Sequence, residues 1–386
     1  MKKFLRIVWR ELGIIRKRPL YILASVGVLA VNIVFYTTFF RDGLPSKLPI
    51  GLVDLDRTST SRAFSQQLDA TQLGQVVYYD DLHLARHDME TGKLTSFVVI
   101  PEGFNADLQA QHQPHMAYYV NSLYFVGGAL AYKDIMTMVN LTNGAVQREI
   151  LRAKGYNERT ARAMIQPIVL DQHQIGNPAT NYGVYLNGVL LPGILEMIVI
   201  LVTIYAVGSE LKYGTSRQLL GMADGSIEKA LLGKLLPYNV IFTVLGIGLE
   251  LLLFHWFHYP LRGSIGWMFL DMLLLVSASE ALGMFLVELF PVLRLAVSVG
   301  AILSVLGISL AGFSLPVEAM PPYIQGFSAI FPLRHYYLIH VQETLWGSGF
   351  AGCWKEVVHL LLFLFLPAVL MGRLNHAYIY QDYERD

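Results

Sequence analysis

Charge is scarce in this sequence. Its 386 residues hold 29 Lys+Arg and 29 Asp+Glu, 15% of the chain, where soluble domains carry about 25%. That deficit excludes a disordered chain and argues against a soluble enzyme. The two signs cancel to a formal net charge of zero, which leaves no basic footprint for nucleic acid. Cysteine is almost absent. Cys353 alone cannot form an internal disulfide or a cysteine-based zinc site, so an exported domain here must stand on its apolar core. Nucleotide and hydrolase motifs are missing too. Gly233-Lys234 is followed by Leu235, and Glu228 stands where the first glycine of a P-loop belongs. Neither H-E-x-x-H nor G-x-S-x-G occurs. If the chain moves anything uphill, the energy comes from another chain or an ion gradient.

What is abundant is hydrophobicity, 54% of residues, and it lies in blocks. Pro19–Phe40 carries no charge. Tyr182–Val207 carries Glu196, Leu235–Phe257 carries Glu250, and Ile265–Phe290 carries Asp271, Glu280 and Glu288. Leu295–Leu315 carries none, and Val357–Met371 is a shorter run. A bilayer core takes about 20 apolar residues per helix. Six spans are expected, at 19–40, 182–207, 235–257, 265–290, 295–315 and 357–372. The first is too long for a signal-peptide core and no small-residue cleavage site follows it, so it reads as a retained anchor.

Lys2, Lys3, Arg6, Arg10, Arg16, Lys17 and Arg18 face one acid, Glu11, ahead of the first span. The positive-inside rule therefore places the N-terminus in the cytoplasm. Six alternating spans then put 41–181, 258–264 and 316–356 outside, with 208–234, 291–294 and the tail 373–386 inside. Lys212, Arg217, Lys229, Lys234 and Arg373 fall inside, in agreement. Residues 1–18 are expected as an interfacial amphipathic helix, with Leu5, Val8, Leu12 and Ile15 on one face and Lys3, Arg6, Arg10 and Lys17 on the other.

The segment 41–181 reads as an α/β domain. Strands are expected at Leu48–Val53, Gln75–Tyr79, Leu94–Ile100 and Met116–Val120. Helices are expected near Thr58–Leu68, Leu82–Thr91 and Phe104–Gln109, and from Leu123 to Leu170 with a break near Gly155-Tyr156-Asn157. This alternation indicates a partly parallel sheet covered by helices. The fold class is thus a polytopic α-helical membrane protein of six spans, with an extracytoplasmic α/β domain inserted between the first and second.

His83 and His87 stand i, i+4 on an expected helix, a spacing that suits one zinc or copper ion, but no third ligand accompanies them. They read as surface histidines, like His112 and His115, or His255 and His258, and no metal site is expected. Glu196, Glu250, Glu280 and Asp271 lie inside spans, where a carboxylate costs about 2.5 kcal/mol or more. Two readings stand for Glu196, Glu250 and Glu280. They line a translocation path, or they bond neighbouring helices. In the inner loop Gly214 can end a helix, Thr215 can cap a short one carrying Leu219 and Leu220, and Ser226 can cap the next.

Those residues carry a resemblance. Glu210-x-x-x-Gly214-Thr215, Leu219-Leu220 and Gly233-Lys234-Leu235-Leu236-Pro237-Tyr238 resemble the first cytoplasmic loop of ABC-2 type transporter permeases. Leu48–Asp56, Ser61-Arg62 and Val98–Phe104 resemble the exterior domain of that family's long-loop exporters. Leu315–Pro321, Gln325 and Phe331–Tyr337 resemble its last exterior loop. The arginine often found shortly after Arg334-His335-Tyr336 is replaced here by His340 and Gln342, and the usual Leu-Lys-Gly reads Leu345-Trp346-Gly347.

The resemblance implies a non-enzymatic permease subunit of an ATP-driven exporter of drugs, lipids or other amphiphiles. Two permease chains, identical or sister, would pair with two soluble ATPase subunits that bind ATP and Mg. No cofactor is bound by the permease itself. Glu210, Gly214, Thr215, Arg217, Leu219 and Leu220 would couple to the ATPase. Pro316, Met320, Pro321, Pro332 and Arg334 would shape a re-entrant exterior gate. The resemblance extends to a periplasmic adaptor and an outer-membrane duct docked on the exterior domain, and to a bacterial inner-membrane location. Sodium or polysaccharide export by the same family is an alternative, and a membrane receptor or assembly scaffold is one of another class.

Overall fold

The structure is a computed structural model that describes residues 2–380 apart from Ser46, Gln72, Leu73, Gln111, Gln172, Gln174 and Ile175. The end of the expected cytoplasmic tail, 381–386, lies outside the described residues. The chain divides into two compact units, residues 44–173 and residues 1–43 with 174–386.

The unit 44–173 is built on a four-stranded sheet. Strands β1 (Leu48–Asp54), β2 (Gly74–Tyr79), β3 (Ser96–Ile100) and β4 (Ala117–Val120) stand in the order β2-β1-β3-β4. β1 runs parallel to both neighbours and β4 antiparallel to β3. Side chains alternate across a strand. Ile50 and Leu52 of β1 therefore join Val98, Ile100, Phe64, Leu68, Phe104, Ala131, Ile135 and Met138 in one core layer. Val53 joins Ala85, Leu94 and Phe97 in the other. Gly51 lies on that second face, where a Cβ would meet Leu94 and Phe97 at 2.8 Å, so only glycine lets them close over the sheet. Burial on both faces is the usual state of parallel strands.

The turn between β1 and the next helix explains Asp54-Leu55-Asp56. Asp54 Oδ1 accepts from the amides of Asp56 and Arg57 (3.1 and 3.0 Å), and its Oδ2 accepts from Ser61 Oγ (2.7 Å). Thr58 and Ser61 form a reciprocal capping box on helix Ser59–Asp69. Asp56 Oδ2 accepts from Thr58 Oγ1 (2.6 Å) and from the Asn105 amide (3.2 Å), tying in the first turn of the Phe104–Gln109 helix. Thr58→Ala is expected to destabilise this unit by about 1 kcal/mol, read as faster cleavage within 44–173 in pulse proteolysis of the whole chain. The helices Leu82–Glu90, Phe125–Ala153 and Glu158–Ile165 complete the unit. The last stops at Ile165 rather than running to Leu170, because Pro167 disfavours helical backbone at the residue before it.

Along the chain the helices are numbered α1 (Lys2–Lys17), α2 (Pro19–Ile22), α3 (Val28–Phe39), α4 to α8 in the α/β unit, and α9 (Tyr182–Lys212). Then come α10 (Ser216–Met222), α11 (Ile227–Leu251), α12 (Ile265–Leu289), α13 (Leu293–Ser309), α14 (Pro322–Ser328), α15 (Pro332–Leu345), α16 (Gly349–Phe363) and α17 (Leu366–Tyr380). Five helical stretches among the described residues are long and apolar enough to cross a membrane: Pro19–Phe39, Tyr182–Lys212, Ile227–Trp256, Ile265–Leu289 and Gly349–Tyr380. The chain is a polytopic membrane protein.

Several bounds differ from those expected. The run 295–315 is a shorter apolar helix, α13, which ends before the left-handed Gly312 (φ +101°). The run 357–372 belongs to a longer pair, α16 and α17, broken at Leu364-Phe365 ahead of Pro367. α9 continues to Lys212 and α11 begins at Ile227, so the inner loop is largely helical. α9 forms the axis of this unit and packs against α12 and α13. At the α9–α12 crossing, Gly283 sits so close that a Cβ would meet the Ile200 carbonyl at 3.0 Å.

Candidate functional site

The inner-loop motifs converge on one buried cluster. α9 ends where Gly214 takes a left-handed φ of +67° and the Thr215 amide returns to the Glu210 carbonyl (2.9 Å). That turn leaves Glu210 on the last buried turn of α9. Arg10 of α1 grips it with two parallel bonds, Nη1 to Oε1 at 2.9 Å and Nη2 to Oε2 at 3.1 Å. Lys234 of α11 donates to Glu210 Oε1 (2.8 Å) and to Glu11 Oε1 of α1 (2.7 Å). Tyr238 adds a bond to Glu11 (3.0 Å). Lys234 is 1% exposed and Glu11 fully buried. Burial pulls Arg10 down, but the bond and charge of Glu210, with the charge of Glu11, hold it above its ordinary value. Two cations and two carboxylates thus share one dry pocket joining α1, α9 and α11.

Thr215 occupies the cap position of α10, but its hydroxyl goes to Glu210 Oε2 (2.5 Å) instead of capping that helix. Ser226 caps α11 as expected, accepting from the Lys229 amide. Ser216 Oγ and Arg217 Nε donate to the carbonyls of Tyr378 and Ile379 (2.9 and 2.7 Å), and Tyr378 returns a bond to Val207 O (2.9 Å). The C-terminal helix is therefore latched to α9 and α10. Leu219 and Leu220 point inward, while Lys212, Tyr213, Arg217, Gln218 and Gly221 form the exposed rim.

α1 turns a different face to the protein from the one its periodicity indicates. Ile7 and Glu11 are buried, whereas Leu5 and Trp9 are exposed at 48% and 69%. Gly233 permits this contact, since a Cβ there would meet Ile7 at 3.1 Å. The exposed pair suits a lipid interface. Lys3 meets Asp224 beyond α10 at 2.5 Å, an exposed pair that holds Asp224 below its ordinary range but adds little stability.

Three acids within the apolar helices hold a donor from a neighbouring helix. Glu196 Oε1 of α9 accepts from the Leu333 amide at the start of α15 (3.2 Å). Glu250 of α11 accepts from the Tyr336 hydroxyl of α15, and Glu280 of α12 from Asn239 of α11 (2.9 Å). Asp271 and Glu343 are buried too, with no donor to either carboxylate among the described residues.

The expected gate loop is a compact helical turn. Pro316 opens a 3-10 turn over Val317–Ala319, Pro321 precedes α14, and Pro332 opens α15. Met320 is buried, and its carbonyl accepts from Gln325 (2.9 Å). Arg334 donates to Gln325 O and Ser328 Oγ (2.5 and 2.6 Å), stapling α15 to α14. His83 and His87 are exposed.

A polytopic helical unit with a buried charge cluster at the loop between α9 and α11, and an α/β unit between two of its apolar helices in sequence, is the arrangement seen here. A family profile for ABC-2 family transporter proteins matches residues 20–373, and the chain belongs to that family. It is 24% identical over 321 residues to the inner membrane transport permease YhhJ of Escherichia coli K12, covering 81% of each chain. It is 26% identical over 192 residues to the probable multidrug ABC transporter permease YbhR of the same organism, covering 48% of this chain and 50% of the relative. Membership implies an ATPase partner and a multi-pass inner-membrane setting.

Arg10 and Glu11 enter the sequence reading only as charges of the N-terminal segment, Lys234 as an inner-loop charge, and Lys234 and Tyr238 as members of the Gly233–Tyr238 motif. That the four join one cluster with Glu210 was not expected.

Proposed function

We propose that this chain is the membrane half of an ATP-driven exporter. Two copies, or this chain and a sister, pair with two soluble ATPase subunits that bind the ATP and Mg. Its termini are cytoplasmic, residues 44–173 are extracytoplasmic, and α13 serves as the fifth of six spans. The single observation that carries this reading is the buried Arg10–Glu11–Glu210–Lys234 cluster. It welds the interfacial helix α1 and short α10 to the long helices α9 and α11. A push on the exposed rim is then transmitted as a rigid-body movement rather than lost in a loose loop. Glu210, Gly214, Thr215, Leu219 and Leu220 act as the inner frame of that rim, and Arg217, Gln218 and Gly221 touch the ATPase. Pro316, Met320, Pro321, Pro332 and Arg334 close the outer mouth.

For cargo we infer an amphiphile such as a drug or lipid; the relative YbhR is a probable multidrug ABC transporter permease. The α/β unit is the docking surface for an adaptor leading to an outer-membrane duct. The acids Glu196, Glu250 and Glu280 act as clasps between helices.

Gly221 is exposed and a Cβ there would meet nothing within 4 Å, so the backbone accepts a side chain at this position and Gly221→Trp serves as the probe of the rim. Co-purification of the detergent-solubilised permease with its ATPase is expected to fall at least roughly tenfold, which is about 1.4 kcal/mol of lost association, with the permease still monodisperse. Undiminished association would remove the rim from the coupling surface.

A further inference from the structure

We propose that His335, Glu356 and His359 form a site for a zinc-class divalent ion that bridges α15 and α16. Their ligand atoms lie within 4.8 Å of one another, although the residues are separated by a turn and a helix in sequence. The protonation pattern is dictated by backbone carbonyls. His335 Nε2 lies 2.9 Å from the Ala329 carbonyl, which can only accept, so Nε2 carries the proton. His359 Nδ1 lies 2.7 Å from the Lys355 carbonyl and carries its proton for the same reason. Each imidazole therefore has one N–H committed to a backbone carbonyl, and its other nitrogen is the one that can take a proton or an ion.

On His335 the other ring nitrogen is Nδ1, which stands 2.5 Å from Glu356 Oε2. A lone pair facing an ionised carboxylate is repulsive unless a cation is shared between them. In the metal-free chain a proton bridges the pair, and a zinc ion displaces that proton and spreads the two atoms to about 3.3 Å, as metal–ligand lengths of about 2 Å require. The arrangement of a ligating histidine whose second nitrogen donates to a backbone carbonyl is the usual outer shell of a metal site. Two imidazoles and one carboxylate match the catalytic-type donor set of zinc, with water in the fourth place. His335 is buried, Glu356 is part-exposed and His359 is exposed, the last two on the apolar stretch Gly349–Tyr380. The two rings stack in parallel, 4.7 Å between centroids and 4° between planes. Loading the site therefore requires the exposed His359 ring to rotate out of that stack so that its Nε2 can reach the ion. Loading the site ties the loop that carries Arg334 and Pro332 to the long C-terminal pair α16–α17.

The test is zinc titration calorimetry on the full chain in detergent, free of any histidine tag and stripped of metal, with cobalt absorption as a second readout. One zinc per chain is expected. His359→Ala and Glu356→Gln each lower the affinity at least roughly tenfold and abolish the tetrahedral cobalt band, whereas the double variant His83→Ala/His87→Ala changes neither. His359 is exposed, so its loss spares the fold. Absent or sub-stoichiometric zinc binding overturns the proposal and leaves a proton bridge between His335 and Glu356. Equal binding by wild type and both ligand variants overturns it as well.

Discussion

Glu210→Ala is expected to destabilise the membrane unit by about 3–5 kcal/mol, the range for deleting one partner of a buried, hydrogen-bonded ion pair. The carboxylate accepts four bonds, two from Arg10 and one each from Lys234 and Thr215. Its removal leaves a buried lysine and a part-buried arginine sharing Glu11 alone. Neither can reach bulk water easily, since the Arg10 side chain is 18% exposed and that of Lys234 1%. The intact cluster adds far less net stability than its removal costs, because four ions were taken out of water to build it. The charge-balanced double variant Glu210→Gln/Lys234→Met is therefore expected to recover most of the loss, with Arg10 then free to pair with Glu11. Thr215→Val deletes one hydroxyl donor and costs about 1 kcal/mol. The measurement is the midpoint of thermal loss of monodisperse protein in detergent, combined as a double-variant cycle. A single-variant loss under about 1 kcal/mol would mean that the cluster behaves as a solvated surface pair. It could not then transmit movement from α10.

The legibility of this site in the sequence was uneven for physical reasons. Short-range determinants read well. The alternating runs at Leu48–Val53 and Gln75–Tyr79 lie within β1 and β2, Gly214 ends α9, and Ser226 caps α11, because each depends on residues a few positions apart. Long-range pairing did not read. Arg10 counted only as one positive charge among seven, yet its partner lies 200 residues away. The same holds for the face of α1. Its periodicity favours Leu5, Val8 and Leu12, but the gap left by Gly233 admits Ile7 and brings Glu11 to Lys234. The Gly233-Lys234 pair that resembles a family motif thus has a local cause: one residue makes room for α1 and the next charges the contact. Hydropathy found the apolar runs but not their ends, which prolines and left-handed glycines set. The His335–Glu356–His359 grouping was hidden because one ligand comes from α15 and two from α16.

Glu196 separates the two readings that the sequence left open for acids in apolar helices. In the structure it serves a helix end. Helix α15 begins at Pro332, whose missing N–H is no loss there. The next amide, Leu333, belongs to the first turn and has no partner within its own helix. Phe331 at the cap position offers no side-chain acceptor, and Leu333 is fully buried. Glu196 supplies the acceptor from α9. Glu196→Leu strands that amide in a dry place, at a cost of about 1–3 kcal/mol. Because α15 carries the loop stapled by Arg334, transport by the assembled complex is expected to fall at least roughly tenfold, a change of about 1.4 kcal/mol. Glu196→Gln keeps an acceptor oxygen in the same place with no charge, so the clasp survives and transport stays within roughly twofold of wild type. A translocation carboxylate behaves in the opposite way, because binding a cation or relaying a proton needs the ionisable group that glutamine lacks while the fold is indifferent to it. Transport and thermal midpoint measured together on both variants decide between them. Loss of transport in Glu196→Gln with an unchanged midpoint would overturn the clasp and make Glu196 part of the cargo path.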